Sequence, residues 1–145
     1  MYQNTITVFN FHKATGMWFK SVVHGADLIA AKSNNNTSTG LKNATAVDII
    51  VPCFADKSVE TLNGKKLYLG PKAFSICTDP ENFITFAPGM DFVYAGICED
   101  FSERCSDDDF DEGLYHCLNS DYDDIYLIHS ANYFGLLPHF EIEGR

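Results

Sequence analysis

No apolar run in this chain approaches the ~20 residues that a helix needs to cross a bilayer. A helical membrane anchor is therefore not signalled. The N-terminal stretch MYQNTITVFNFHK lacks a basic region followed by an apolar one, so it does not read as a signal peptide. The expectation is a protein made and used in cytosol-like conditions. Cys53, Cys77, Cys98, Cys105 and Cys117 are odd in number, never closer than seven residues apart, and include no C-x-x-C. Neither a zinc knuckle nor a thioredoxin-type pair is indicated. Cys53, Cys77 and Cys98 sit in apolar text (VPCF, FSICT, AGICED), where a free cysteine behaves as a small hydrophobe.

The signatures of catalysis are missing as well. There is no G-x-S-x-G and no S-x-x-K for a nucleophile. GxGxxG and GxxxxGK followed by Ser or Thr are absent, and GKK at 64–66 is too short to cradle a phosphate. Basic charge is scarce: ten Lys and Arg are scattered, with Lys65–Lys66 the only adjacent pair. Nucleic-acid readers concentrate such residues on one face.

Acidic charge, in contrast, is abundant and localised. Between Glu99 and Asp124 stand eleven Asp and Glu against one base, Arg104, while the rest of the chain has nine acids and nine bases. The net charge of -10 thus belongs to one segment. Its centre, SDDDFDEGLYHC (106–117), has the look of a calcium loop, but a 12-residue EF-hand needs glycine at position six and glutamate at twelve. Counted from Asp107, those positions hold Glu112 and Leu118. His116 and Cys117 are adjacent and so diverge on either a strand or a helix. His12, His24, His129 and His139 are each isolated. The expectation is no metal, no cofactor and no catalytic residue, with Asp107, Asp108, Asp109, Asp111 and Glu112 forming a solvated acidic rim.

The aromatic content, twelve Phe, seven Tyr and one Trp, suits strands. TITVFNF (5–11) alternates like a strand, HKATG turns it with Gly16 at positive φ, and MWFKSVVHGADLIA returns. SNNNTSTGLKNAT (33–45) is a thirteen-residue polar connection, longer than most in compact domains. Within it Asn34, Asn35, Asn36, Thr37 and Lys42 are candidates for an interface or channel loop. AVDIIVPCFA reads as a strand. Asn63–Gly64 signals a hairpin between short flanks. FITF and FVYAGI read as strands, and DIYLIHSANYF and LPHFEIEG pair around Gly135. The best helical stretches are DFDEGLYHCLN, with an acidic first turn, and GPKAFSIC. The pattern predicts a mainly-β single domain over 1–145 with six to eight strands. It is a small antiparallel barrel or sandwich with long loops, one short helix and an acidic excursion at about 99–124.

The order of several segments carries a resemblance. TITVFN is followed by an aromatic strand ending in G-A-D, then by GLKNATAVDIIVP, FITF, GMDFVYAG and a terminal PHFEIEG. This series resembles the small minor-capsid and head-closure, or stopper-like, connector proteins of long-tailed bacteriophages and prophages. These carry a similar W-T-L…G-D-x-I-V-x-G segment and end in an H-W-E-V-x-G strand. The resemblance covers the chain except residues 101–122.

It implies a β-barrel subunit of a homo-oligomeric ring, usually of twelve or six copies, between portal or adaptor and tail proteins. Such rings help retain packaged DNA, so the expected location is the virion, assembled in the bacterial host cytoplasm, without a membrane. Thr5–Asn10, Gly89–Gly96 and His139–Gly144 are then structural strands. Phe stands in FITF and HFEIE where the family often has Trp, and the acidic segment is unusual. Adaptor, stopper and tail-side ring proteins therefore remain alternatives. So does a phage-encoded regulator that binds another protein.

Overall fold

Residues 5–11 alternate two chemistries, and the fold uses both. In the computed structural model, which describes residues 4–30 and 46–145, β1 (Asn4–His12) runs between two hydrophobic cores. Ile6 and Val8 point to one of them, and Phe9 and Phe11 to the other. A strand covered on both faces needs apolar residues at successive positions, which explains why Ile6 through Asn10 are all buried.

β1 turns at Gly16 (φ 72°) into β2 (Met17–Ala30), with His12 opposite Met17. β2 serves two partners. As far as Ala26 it pairs with β1, and from Asp27 onward with β3 (Val47–Pro52). The register slips where the two meet. Asn4 lies opposite Ala26 and Thr5 opposite His24, leaving Gly25 unpaired at φ 81°. A glycine bulge of this kind bends a strand and lets it pass from one wall to the next.

β9 (Ile125–Phe134) behaves in the same way. It pairs first with the short β7 (Phe92–Tyr94) and then with β10 (His139–Gly144), with a register shift next to Gly144. The order β1-β7-β9-β10-β3-β2 returns to β1, closing a six-stranded antiparallel barrel. Its interior holds Ile6, Val8, Val23, Ile49, Val51, Val93, Ile128, Phe140 and Ile142. The expected mainly-β antiparallel barrel is the fold of the protein.

A second, three-stranded sheet packs on this barrel through aromatic rings. It comprises β4 (Ser58–Thr61), β5 (Gly64–Tyr68) and β6 (Phe83–Ile84). The Tyr68 ring lies 4.7 Å from Phe140 and 5.9 Å from Phe86. The hairpin expected at Asn63–Gly64 forms, but Thr61 pairs with Gly64, so Leu62 and Asn63 are its central residues. FITF is less of a strand than its alternation predicts. Only Phe83 and Ile84 pair, and they run parallel to β5. α1 (Pro71–Ile76) follows β5 and buries Phe74 edge-on against His12.

The acidic stretch is not a detached excursion. β8 (Arg104–Ser106) adds to β2, and α2 (Leu114–Asp121) covers the outer face of β1. Leu114, Leu118 and Cys98 join Phe9, Trp18, Phe92 and Ile125 in the second core. α2 starts five residues later than DFDEG suggests, at Leu114. Asp109 belongs instead to a separate 3-10 turn at Asp107–Asp109, and Asp111 and Glu112 lie between the two. The helix therefore has no acid in its first turn.

Candidate functional site

Adjacent lysines on a strand point to opposite faces, and β5 shows this at Lys65 and Lys66. Lys65 is exposed, its ammonium 4.1 Å from the Phe54 ring centroid. Lys66 is 7% exposed and donates to the Ser21 hydroxyl at 2.8 Å. Burial lowers its pKa, against the opposing pull of the Glu103 and Glu81 carboxylates.

Lys66 opens onto a cleft of about 660 Å³ between the β8 side of the large sheet and the small sheet. Lys20, Lys65, Lys66 and Arg104 line it, together with Glu81, Glu103 and the amides of Asn63 and Asn82. Four of the chain's ten bases thus meet in one place on a chain of net charge -10. Lys20 braces one wall by donating to the carbonyls of Cys98 and Phe101, both at 2.6 Å. Asn63 donates to Glu103 across the mouth.

The buried carboxylate Asp91 lies elsewhere. It is fully buried and accepts three N–H donors: Asn10 Nδ2 at 2.9 Å, Phe11 N at 3.0 Å and Ala87 N at 3.0 Å. Burial pushes its pKa up to about 7 despite those donors. Asn10 also donates to the Thr85 carbonyl at 2.6 Å, so the pair ties the 85–91 connection to β1. Asp91 does not line the cleft. A carboxyl whose oxygens are occupied by framework N–H groups holds backbone rather than substrate.

The acids of the expected rim divide into two groups. Asp108, Asp109, Asp111 and Glu112 are exposed. Asp107 turns inward, and its Oδ1 accepts both the Trp18 indole N–H at 2.7 Å and the Leu114 N–H at 2.8 Å. It therefore caps α2 from seven residues upstream. Gly113 makes this possible: it sits at φ 92°, and a Cβ there would approach Asp107 Oδ1 to 3.1 Å.

Asn34, Asn35, Asn36, Thr37 and Lys42 lie outside the described residues. Among the described residues, no group of three or more His, Cys, Asp and Glu is placed to hold a metal ion. His12 is a core residue whose ring nitrogens meet Thr15 Oγ1 and the Cys77 carbonyl, each at 2.8 Å. His139 pairs with Glu141 at 2.9 Å, and that contact raises its pKa. The five cysteines are free, and burial raises the pKa of Cys53, Cys77, Cys98 and Cys105.

Sequence reading missed both Lys66 and Asp91. Strand alternation through GKKLY places Lys66 and Tyr68 on one face, and that was the available signal for a buried lysine. Asp91 carried a weaker one, an acid between the Gly89 turn and β7.

The fold and these sites define a small closed β-barrel with a second aromatic core under an acidic flank and one basic cleft. The chain belongs to a family of unknown function, DUF6751, which matches residues 1–145. No curated protein and no solved structure matches it.

Proposed function

We propose that this protein is a non-enzymatic structural subunit of a bacteriophage head–tail connector. It acts as a head-closure, stopper or neighbouring ring protein that joins the portal side to the tail and helps retain packaged DNA. One observation supports this reading above the others: the segments that carry the resemblance are the framework of the barrel. TITVFN lies in β1, DFVY spans β7, DIIVP lies in β3 and HFEIEG forms β10. β1 pairs with β7, and β3 pairs with β10. A likeness confined to one hairpin would say little, whereas this one runs around the closed barrel.

The surface supports an assembly role. The β9–β10 turn exposes Leu136 (95%) and Leu137 (76%), with Phe134 and Phe54 also exposed. Exposed apolar side chains that cluster on a surface mark contact sites. The same feature favours the second reading, a phage-encoded regulator that binds another protein. Mass spectrometry of purified virions separates the two. A connector subunit is present at a fixed ratio to the portal protein, expected at twelve or six copies. Its absence from virions that contain portal and tail proteins leaves the regulator.

A further inference from the structure

Among the described residues, no lysine or arginine forms an ion pair with Asp or Glu; the two ion pairs are Glu112–His116 and Glu141–His139. The bases have other partners. Lys20 binds carbonyl groups, Lys66 binds Ser21, Lys57 lies over Tyr133 and Lys65 over Phe54. Among the described residues, the bases and the exposed acids of one copy are thus not matched to each other in close pairs. Four of the cations line the cleft, and four exposed acids stand on the segment that follows β8.

We propose that the cleft of one copy receives the Asp108–Glu112 segment of a second copy of this chain. Resting on the connector reading, the inference names the contact by which subunits join. Lys66 supplies an ammonium with one hydrogen-bond partner, and Arg104 an exposed guanidinium at the rim. A carboxylate from outside completes both. Glu81 and Glu103 also line the cleft, which disfavours a bare polyvalent anion. They suit a peptide, whose backbone N–H groups bond to carboxylates while its Asp side chains meet Lys66 and Arg104. Each copy carries both halves, so the contact joins unlike surfaces, the head-to-tail type that can close into a ring. Charge complementarity of this kind fixes register and selects the partner.

Sedimentation velocity of the full chain at low and high salt tests the contact. The expected result is concentration-dependent self-association that weakens as salt screens the charges. Arg104→Glu weakens it at least ~10-fold, and so does Asp109→Arg with Asp111→Arg. An equimolar mixture of the two variants restores association, because each reversed cleft meets a reversed segment. Lys66→Met, checked for folding by circular dichroism, also weakens it. The proposal is overturned by a wild type that stays monomeric throughout, by variants that associate like wild type, or by a mixture that fails to recover. Protection by inorganic phosphate without self-association overturns it too, by making the cleft a small-anion site. Virions that contain the protein while cleft variants assemble normally would refute this contact and leave the connector reading standing.

Discussion

The Asp107 carboxylate and the Trp18 indole are 89 positions apart in the chain and 2.7 Å apart in space. The same oxygen, Oδ1, takes the Leu114 N–H at the start of α2. One acid in the densest acidic run therefore holds the chain's only tryptophan, the 3-10 turn and the helix in register. Trp18 in turn packs edge-on against Phe92 at 5.1 Å, so this bond anchors the second core.

Asp107→Ala removes an acceptor from two part-buried donors at once. Hydrogen bonds to charged groups are worth ~1.5–3 kcal/mol, so the expected loss is on the order of 3 kcal/mol by urea denaturation. Asp107→Asn keeps a carbonyl oxygen in place and loses less. The joint replacement of Asp108, Asp109 and Asp111 with Asn and Glu112 with Gln leaves stability within ~0.5 kcal/mol per site, as for solvated surface positions. Millimolar calcium is expected to raise the wild-type melting temperature only marginally. A rise of many degrees, lost in the four-site variant, would show a specific metal site.

The contrast between Asp107 and its neighbours shows where sequence reading reached and where it stopped. The barrel was legible because its long strands are rich in apolar and aromatic residues and its hairpin turns carry Gly16 and Gly135. α2 was legible from Leu114 and Leu118, but its start was not. Gly113 at positive φ ends one local structure and opens another, which an acidic helix-start pattern hides. The inward turn of Asp107 depends on a partner that β2 supplies from far away in sequence. The cleft depends on four separate segments, around residues 20, 65, 82 and 104, and no local pattern links them. Charge counting found the excess acid. It could not tell that one of those acids is structural.

Asp91 gives stability a pH dependence of definite sign. Its folded pKa is raised from 3.8 to about 7 by burial. Between those values the unfolded chain has released the proton and the folded protein retains it. The linked stabilisation is fully present below about pH 4 and is lost as pH rises through 7. About three units corresponds to ~4 kcal/mol. Asp56, whose pKa is lowered by hydrogen bonds from Ser58, tilts stability the other way, so the informative quantity is the difference from Asp91→Asn, which cannot ionise. Relative to wild type, this variant gains stability as pH rises from 4 to 8. Parallel pH profiles for the two proteins would exclude a raised pKa at Asp91. Asp91→Ala, which leaves Phe11 N and Ala87 N without their acceptor, costs several kcal/mol at any pH.

Lys66 has the opposite linkage, and it tests whether the cleft lysine is there for the fold. Burial lowers its pKa from 10.5, so below that value the unfolded chain binds a proton more readily than the folded protein does. Stability therefore rises with pH between the lowered value and 10.5. Lys66→Met keeps an unbranched side chain against Ser21 and abolishes that slope. Lys66 has no close ion-pair partner among the described residues, so its replacement by Met strands no buried carboxylate and removes the cost of burying an ammonium, while the Ser21 hydroxyl loses a bond worth ~1 kcal/mol. The expected outcome is a variant at least as stable as wild type at pH 7, with its relative stability declining toward pH 10. Chemical denaturation at several pH values measures both. A variant several kcal/mol weaker at pH 7 would mean that the lysine serves the fold itself, and the case for a cleft kept for a partner would lose its main support.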